Sequence, residues 1–215
     1  MTAKWGTTYW NTETLQYRNP HARLRLMADI LRELPEKRVL DVGCSTATLK
    51  QLLPEDVEYY GVDISTKAAS ILPPGHFVQV DFNSDFSLDF FRASHINCVH
   101  IGGVLEYLHN PGRLLSMLRE LVPENSPMVL SIINFAAKRY DDARRHHPAW
   151  QYKPSLAELQ KLLVENRWKV ERVWAFDDRA NWRKLGQFLM TYWLGMEHPW
   201  TRRRIKQFVM LARAV

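Results

Sequence analysis

Over the first two thirds of the chain, short apolar runs that close on an acid or a glycine alternate with stretches whose apolar residues recur every three or four positions. Leu24, Met27, Ile30, Leu31 and Leu34 follow the second rhythm, with Pro20 before them and Pro35 behind, which predicts one well-punctuated helix. Residues 37–42 follow the first rhythm and read as a buried strand. The alternation then repeats. A helix is predicted over about 46–54, a strand over 57–62, and a short helix capped by Ser65 that stops before Pro73-Pro74-Gly75. A strand over 77–80, a short helix over 84–92, a strand over 96–101, a helix over 111–122 and a strand over 128–133 follow. Strands separated by helices predict a doubly wound α/β, Rossmann-like sheet, mostly parallel, with helices on both faces.

The last third changes character. Residues 134–153 form a basic, aromatic connection, 155–166 read as a helix, and 168–176 alternate like a strand. A helix over 180–195 carries Trp182, Leu185, Phe188, Leu189, Tyr192 and Trp193 on one broad face, and 208–212 read as a final strand. No repeat, low-complexity tract or linker divides the 215 residues, so a single domain is expected. No apolar stretch has the length of a membrane span, and Met1-Thr2-Ala3-Lys4-Trp5 lacks the apolar core of a secretory signal, so a cytoplasmic protein is expected. Cys44 and Cys98 both fall in predicted core elements; two thiols make no zinc site, and no metal is expected. The net charge of +6 is uneven, with clusters at Arg144-Arg145-His146-His147 and Arg202-Arg203-Arg204. Such clusters suit phosphate, an acidic substrate or a membrane surface, or are simply solvated.

The candidate chemistry lies at the strand tips, where open α/β sheets bind their ligands. Asp41-Val42-Gly43 follows the first strand, Asp63 the second, Asp81-Phe82 the third and Gly102-Gly103 the fourth. Gly43 admits close backbone approach, and a carboxylate at 63 can accept both hydroxyls of a ribose. Asp81 and Phe82 can bond and flank an amino-purine ring. Together they predict a nucleoside pocket. Dinucleotide binding requires Gly-x-Gly-x-x-Gly to let the backbone approach a pyrophosphate. Here the run is Gly43-Cys44-Ser45-Thr46-Ala47-Thr48, which serves a pyrophosphate poorly and a ligand without one far better.

The segment Val39-Leu40-Asp41-Val42-Gly43-Cys44-Ser45-Thr46-Ala47-Thr48-Leu49 resembles the first motif of class I S-adenosylmethionine-dependent methyltransferases. Tyr60-Gly61-Val62-Asp63-Ile64-Ser65 is similar to their acidic second motif, Val80-Asp81-Phe82 to the third, and Val104-Leu105-Glu106-Tyr107-Leu108 to the Val-Leu-Glu-His-Leu segment that many carry after the fourth strand. The resemblance spans about residues 20–135 and implies a seven-stranded sheet whose last strand is antiparallel, with S-adenosyl-L-methionine as cofactor. It divides the domain into an N-terminal cap segment and helix (1–35), a cofactor-binding core (36–135) and an acceptor-binding part with the closing strands (136–215). It places Gly43, Cys44 and Ser45 at the methionine part of the cofactor, Asp63 at the ribose, Ile64 at the adenine, and Asp81 with Phe82 at the adenine amino group. Asp41 joins the site directly or through a neighbour, and His100, Ile101 and Gly102 line the methionine arm. Arg18, just before the first long helix, is the candidate partner for the cofactor carboxylate. The family has glycine where Ser45 and Ala47 stand; a Cβ at a left-handed position there costs on the order of 1 kcal/mol.

The function implied is direct, in-line O- or N-methylation of a small or medium organic acceptor of secondary-metabolite or glycan type. Aromatic residues of the variable parts, among them Trp5, Tyr9, Trp10, Tyr17, Phe135, Tyr140, Trp150, Tyr152, Trp182, Tyr192, Trp193 and Trp200, suit that acceptor. His100, His109, His146 and His147 are available imidazoles, and none is assigned as a base. Two alternatives stand beside this reading. One is a nucleic-acid methyltransferase, disfavoured because Ile101-Gly102-Gly103-Val104 replaces an Asn-Pro-Pro-Tyr-type segment. The other is a cofactor-binding protein of the same fold without catalysis. The aromatic face of 180–195 reads as core in preference to peripheral membrane contact.

Overall fold

Strands β1 (Arg38–Val42), β2 (Glu58–Asp63), β3 (Phe77–Gln79), β4 (Cys98–Gly102), β5 (Pro127–Ile133), β6 (Trp168–Phe176) and β7 (Gln207–Ala214) pair into one sheet of order β3-β2-β1-β4-β5-β7-β6. The computed structural model describes residues 7–12, 20–137, 149–176 and 205–215. The first five strands are parallel, and β7 runs antiparallel to both β5 and β6. The mostly parallel, seven-stranded sheet expected from the sequence is therefore present. The central strands are buried on both faces, which is why they read as near-continuous apolar runs.

Helix α1 (Thr7–Trp10) is a single turn, and α2 (Ala22–Glu33) covers one face of the sheet with Met27, Ala28, Ile30 and Leu31. The His21 side chain caps α2 by accepting from the Leu24 amide at 3.2 Å, and the chain turns out before Pro35. Helices α3 (Pro111–Leu121) and α4 (Leu156–Glu165) pack with Trp168 and the opposite face of the sheet. Asn110 and Pro111 start α3, while Ser155 and Glu158 form a reciprocal capping box on α4. The fully buried Trp168 donates its indole N–H to Leu115 O at 3.0 Å, tying the start of β6 to α3. Among the described residues no helix is long and apolar enough to cross a membrane.

Three predicted helices are only short 3₁₀ pieces, at Thr48–Leu52, Lys67–Ser70 and Asp89–Ser94. The reason is local. Ala47, which precedes the first piece, is left-handed, and Asp63 ties down the Ser65 amide before the second. The helix expected over 180–195 lies outside the described residues. The chain leaves β1 for β2 on one side and reaches β4 on the other, so β1 and β4 flank a crevice at their carboxyl ends.

Candidate functional site

The turn after β1 is built by backbone before any side chain matters. Gly43 sits at φ +75°, and the amides of Gly43 and Cys44 donate to Val62 O at 2.8 and 3.3 Å, which locks the turn onto β2. A Cβ on Gly43 would lie 2.2 Å from Val104 Cγ2, so the turn also packs directly on the segment after β4. Ser45 and Ala47 adopt φ of 48° and 52°, the left-handed region in which glycine is at ease. The sequence deviations at 45 and 47 are thus tolerated with the glycine backbone retained. Ser45→Gly is predicted to raise stability by about 0.5–1 kcal/mol, because relief of the left-handed Cβ outweighs the added freedom of the unfolded chain. The urea midpoint reads this; an unchanged or lower midpoint would show that residue 45 carries no backbone strain.

Asp63 is the knot of the site. It is 8% exposed, its Oδ2 accepts from the Ser45 amide at 2.8 Å, and its Oδ1 accepts from the Ser65 amide at 2.7 Å. One carboxylate thereby fixes the loops after β1 and β2. Each oxygen keeps a second lone pair for a ligand hydroxyl. Asp81 builds its own turn by accepting from the Asn83 amide at 2.9 Å, and Phe82 stands edge-on to Phe86.

These tips open on one cavity of about 1040 Å³. Asp41, Gly43, Cys44, Ser45, Asp63, Ile64, Asp81, Phe82, His100 and Gly102 all line it. Ile101 does not: its side chain is fully buried in the core on the α3 face, and only its backbone runs past the site. Arg18 lies outside the described residues. So do the aromatic residues Trp5, Tyr17, Tyr140, Trp182, Tyr192, Trp193 and Trp200, and both basic clusters. Trp10 lines the cavity and meets Tyr107 edge-on at 5.0 Å. Asn11 beside it accepts from the Thr66 amide at 2.9 Å and the Ser65 hydroxyl at 2.8 Å, so the 7–12 segment bridges the two ends of the cavity.

Sequence reasoning missed Arg23. It stands in the first turn of α2, lines the cavity, and lies close enough to Gly103 that a Cβ there would be 2.9 Å from Nη1. The sequence placed an arginine at this helix start but five residues too early; the N-cap at His21 was the signal that marked the first turn. Glu106, read only as part of a motif, is 1% exposed and also lines the cavity. Its Oε1 accepts from the Ile133 amide at 3.3 Å, while Oε2 has no partner among the described residues. His21, Gln151 and Gln207 complete this end of the site, from three segments that no local pattern links.

Burial dominates the electrostatics. It raises the Asp63 carboxyl above its ordinary value, against the two amide bonds that favour the ionised form. It raises the Glu106 carboxyl too, with the Arg23 charge working the other way. It pushes the Cys44 thiol well up, helped by Asp41 and Asp63, so this cysteine is not a nucleophile. It lowers the His21 imidazole, with the Arg23 guanidinium adding to the effect. For Glu106 the sign is fixed. A folded-state value above the unfolded one means that ionisation destabilises the fold, fully above the folded value and not at all below about 4.5. Glu106→Gln is therefore predicted to be at least as stable as wild type at pH 8, with that advantage vanishing on acidification. Denaturant titrations of both proteins between pH 8 and 4.5 check this, and a constant difference across that range would refute it.

Residues 12–185 match the model of the family described as "Methyltransferase domain". Among solved structures, an S-adenosylmethionine-dependent methyltransferase from Mesorhizobium loti is 16% identical, covers 89% of this chain and 95% of its own, and has a TM-score of 0.60. The magnesium protoporphyrin IX methyltransferase of Synechocystis, solved with S-adenosylhomocysteine, is 16% identical over 97% of both chains, with a TM-score of 0.59. The 1,6-didemethyltoxoflavin-N1-methyltransferase of Burkholderia thailandensis, solved with its substrate and S-adenosylhomocysteine, is 16% identical over 91% of this chain and 79% of its own, with a TM-score of 0.59. No curated protein matches the chain in sequence. Family match, strand order and strand-tip motifs agree: the chain belongs to the class I S-adenosylmethionine-dependent methyltransferases.

Proposed function

We propose that this methyltransferase acts on a small or medium organic acceptor, with Asp63 holding the cofactor ribose and Arg23 its carboxylate. The carrying observation is the single cavity of about 1040 Å³, which reaches from Asp63 and Asp81 to Glu106, Gln151 and Gln207. That volume is at the upper end of ordinary ligand sites, which run to roughly 1,000 Å³, so it suits a cofactor together with an acceptor. The residues present fit the cofactor. Two buried polar atoms, His100 Nε2 and Glu106 Oε2, line the cavity with no partner among the described residues, and a guanidinium stands between them and Gly103. A zwitterion with a diol supplies what these groups and Asp63 lack.

S-adenosylmethionine brings an already electrophilic sulfonium methyl, so the protein's work is proximity and alignment. Asp63, anchored by two amides, fixes the sugar end; Ile64, Asp81 and Phe82 border the adenine; Arg23 fixes the amino-acid end. The remaining wall, with Tyr107, Ile133, Ala149 and Gln151, belongs to the acceptor. Glu106 Oε2 there can take a hydrogen bond from a hydroxyl or amine, which supports O- or N-methylation. The toxoflavin and protoporphyrin enzymes show the range of organic acceptors named for this fold. The free, buried thiols of Cys44 and Cys98 suit a reducing cytoplasm.

Titration calorimetry with S-adenosylmethionine and S-adenosylhomocysteine tests the cofactor reading, and absence of binding at millimolar concentration counts against it. Incubation with metabolite extracts and a labelled methyl donor, followed by mass spectrometry, tests the acceptor class. Label appearing only on nucleic acid would overturn the small-molecule reading.

A further inference from the structure

We propose that a buried Tyr59–Asp41–His100 relay presents His100 Nε2 as the hydrogen-bond acceptor for the ammonium group of the cofactor's amino-acid arm. The assignment rests on the cofactor reading above. Asp41 and His100 are direct register partners on β1 and β4, and both are almost fully buried. His100 Nδ1 lies 2.6 Å from Asp41 Oδ1, and the Tyr59 hydroxyl donates to the other oxygen, Oδ2. Burial and the Asp41 charge push the Tyr59 phenol well above its ordinary value, so it stays a donor. Asp41 lines the cavity, yet protein donors already engage both of its oxygens.

What reaches the ligand space is the far edge of the imidazole. An ionised carboxylate only accepts, so Nδ1 carries the proton bonded to Asp41 and the neutral ring offers its lone pair at Nε2. That atom is buried and has no partner among the described residues. The ring edge lies over Gly102, where a Cβ would be 2.8 Å from Cε1 and 3.3 Å from Nε2. The next residue, Gly103, lies against the Arg23 guanidinium. An acceptor and a fork of donors therefore stand over two consecutive glycines, which is the arrangement an α-amino acid zwitterion requires. The other carboxylates of the cavity are committed differently. Asp63 holds Ser45 and Ser65, Asp81 holds Asn83, and Glu106 holds Ile133 through one oxygen.

The test is calorimetry on the full chain with four probes: S-adenosylhomocysteine, its decarboxylated analogue, its deaminated analogue, and methylthioadenosine, which lacks the arm. His100→Asn keeps a donor to Asp41 and deletes the group at Nε2. It is expected to weaken S-adenosylhomocysteine and the decarboxylated analogue by about tenfold or more, and to leave the other two within about twofold. Arg23→Gln is expected to do the reverse, sparing only the ligands without a carboxylate, and Glu106→Gln to leave the preference for the amine unchanged. Equal weakening of all four probes by His100→Asn, or an unaffected decarboxylated analogue, would overturn the assignment. Wild type that binds none of the four overturns the cofactor reading itself, a result distinct from either. Should the variant not fold, nitrogen NMR of labelled histidine in the wild type decides. The Nε2 resonance must move with the decarboxylated ligand and stay with the deaminated one, and the opposite pattern or no movement refutes the relay.

Discussion

Asp63→Ala is expected to lower the affinity for S-adenosylhomocysteine at least about 100-fold and the folding stability by about 2 kcal/mol. The two losses share one cause. The carboxylate accepts the Ser45 and Ser65 amides at 2.8 and 2.7 Å from a buried position, so truncation leaves two backbone donors unmatched and unties the loops after β1 and β2. A net loss of about 1 kcal/mol per bond sets the stability figure, and loss of charge-assisted bonds to a ribose diol, at about 1.5–3 kcal/mol each, sets the affinity. Relief of the desolvated charge offsets part of the first and none of the second. Asp63→Asn keeps one acceptor oxygen and is expected to fall between the two. Affinity should also drop on acidification at a pH above the ordinary aspartate value of 3.8, because burial raises this carboxyl and the protonated form loses its charge-assisted bonds. Calorimetry and chemical denaturation of the same samples measure both effects. A folded alanine variant with unchanged affinity removes Asp63 from the site.

Gly43→Ala should cost about 2–4 kcal/mol of stability. About 1 kcal/mol of that comes from placing a side chain at φ +75°, and the remainder from forcing a Cβ to within 2.2 Å of Val104 Cγ2. The opposing atom belongs to a short branched side chain, which has little room to yield. The contribution of each cause is separable. In the double variant with Val104→Ala the steric part disappears and the backbone part stays, so the two substitutions should show a favourable coupling of about 1–2 kcal/mol. Additive effects would mean that the turn after β1 and the segment after β4 are not in contact. Ligand affinity should fall with stability, since Asp63 reaches the Ser45 amide only through this turn.

The sheet was largely legible. Strands β1, β2, β4 and β5 are buried on both faces, and that forces continuous apolar runs which stand out from the helical segments between them. The strand-tip acids were legible for a related reason. A buried run that ends on Asp63 or Asp81 places a charge where the sheet meets solvent and ligand. The short helical pieces were not legible at their true length. Hydrophobic spacing over 46–54 and 65–72 resembles that of a longer helix, whereas Ala47 in the left-handed region and the Asp63 bond to Ser65 set these boundaries through tertiary contacts.

Arg23 shows the limit within a single element. Two arginines flank the helix start, Arg18 before it and Arg23 in its first turn, and the turn points Arg23 at Gly103 across the cavity. Nothing in the local pattern says which one faces a loop eighty residues further on. By itself, then, the sequence determined the order of strands and helices, the tips that carry acids and glycines, and the family. Those follow from periodicity and from residues adjacent in the chain. Only the tertiary structure decided that Asp41 is engaged by Tyr59 and His100, that Glu106 has one oxygen left over inside the cavity, and that Ile101 faces the core. Parallel pairing sets residue 41 beside residue 100, and a register between distant strands is written in no local stretch of chain.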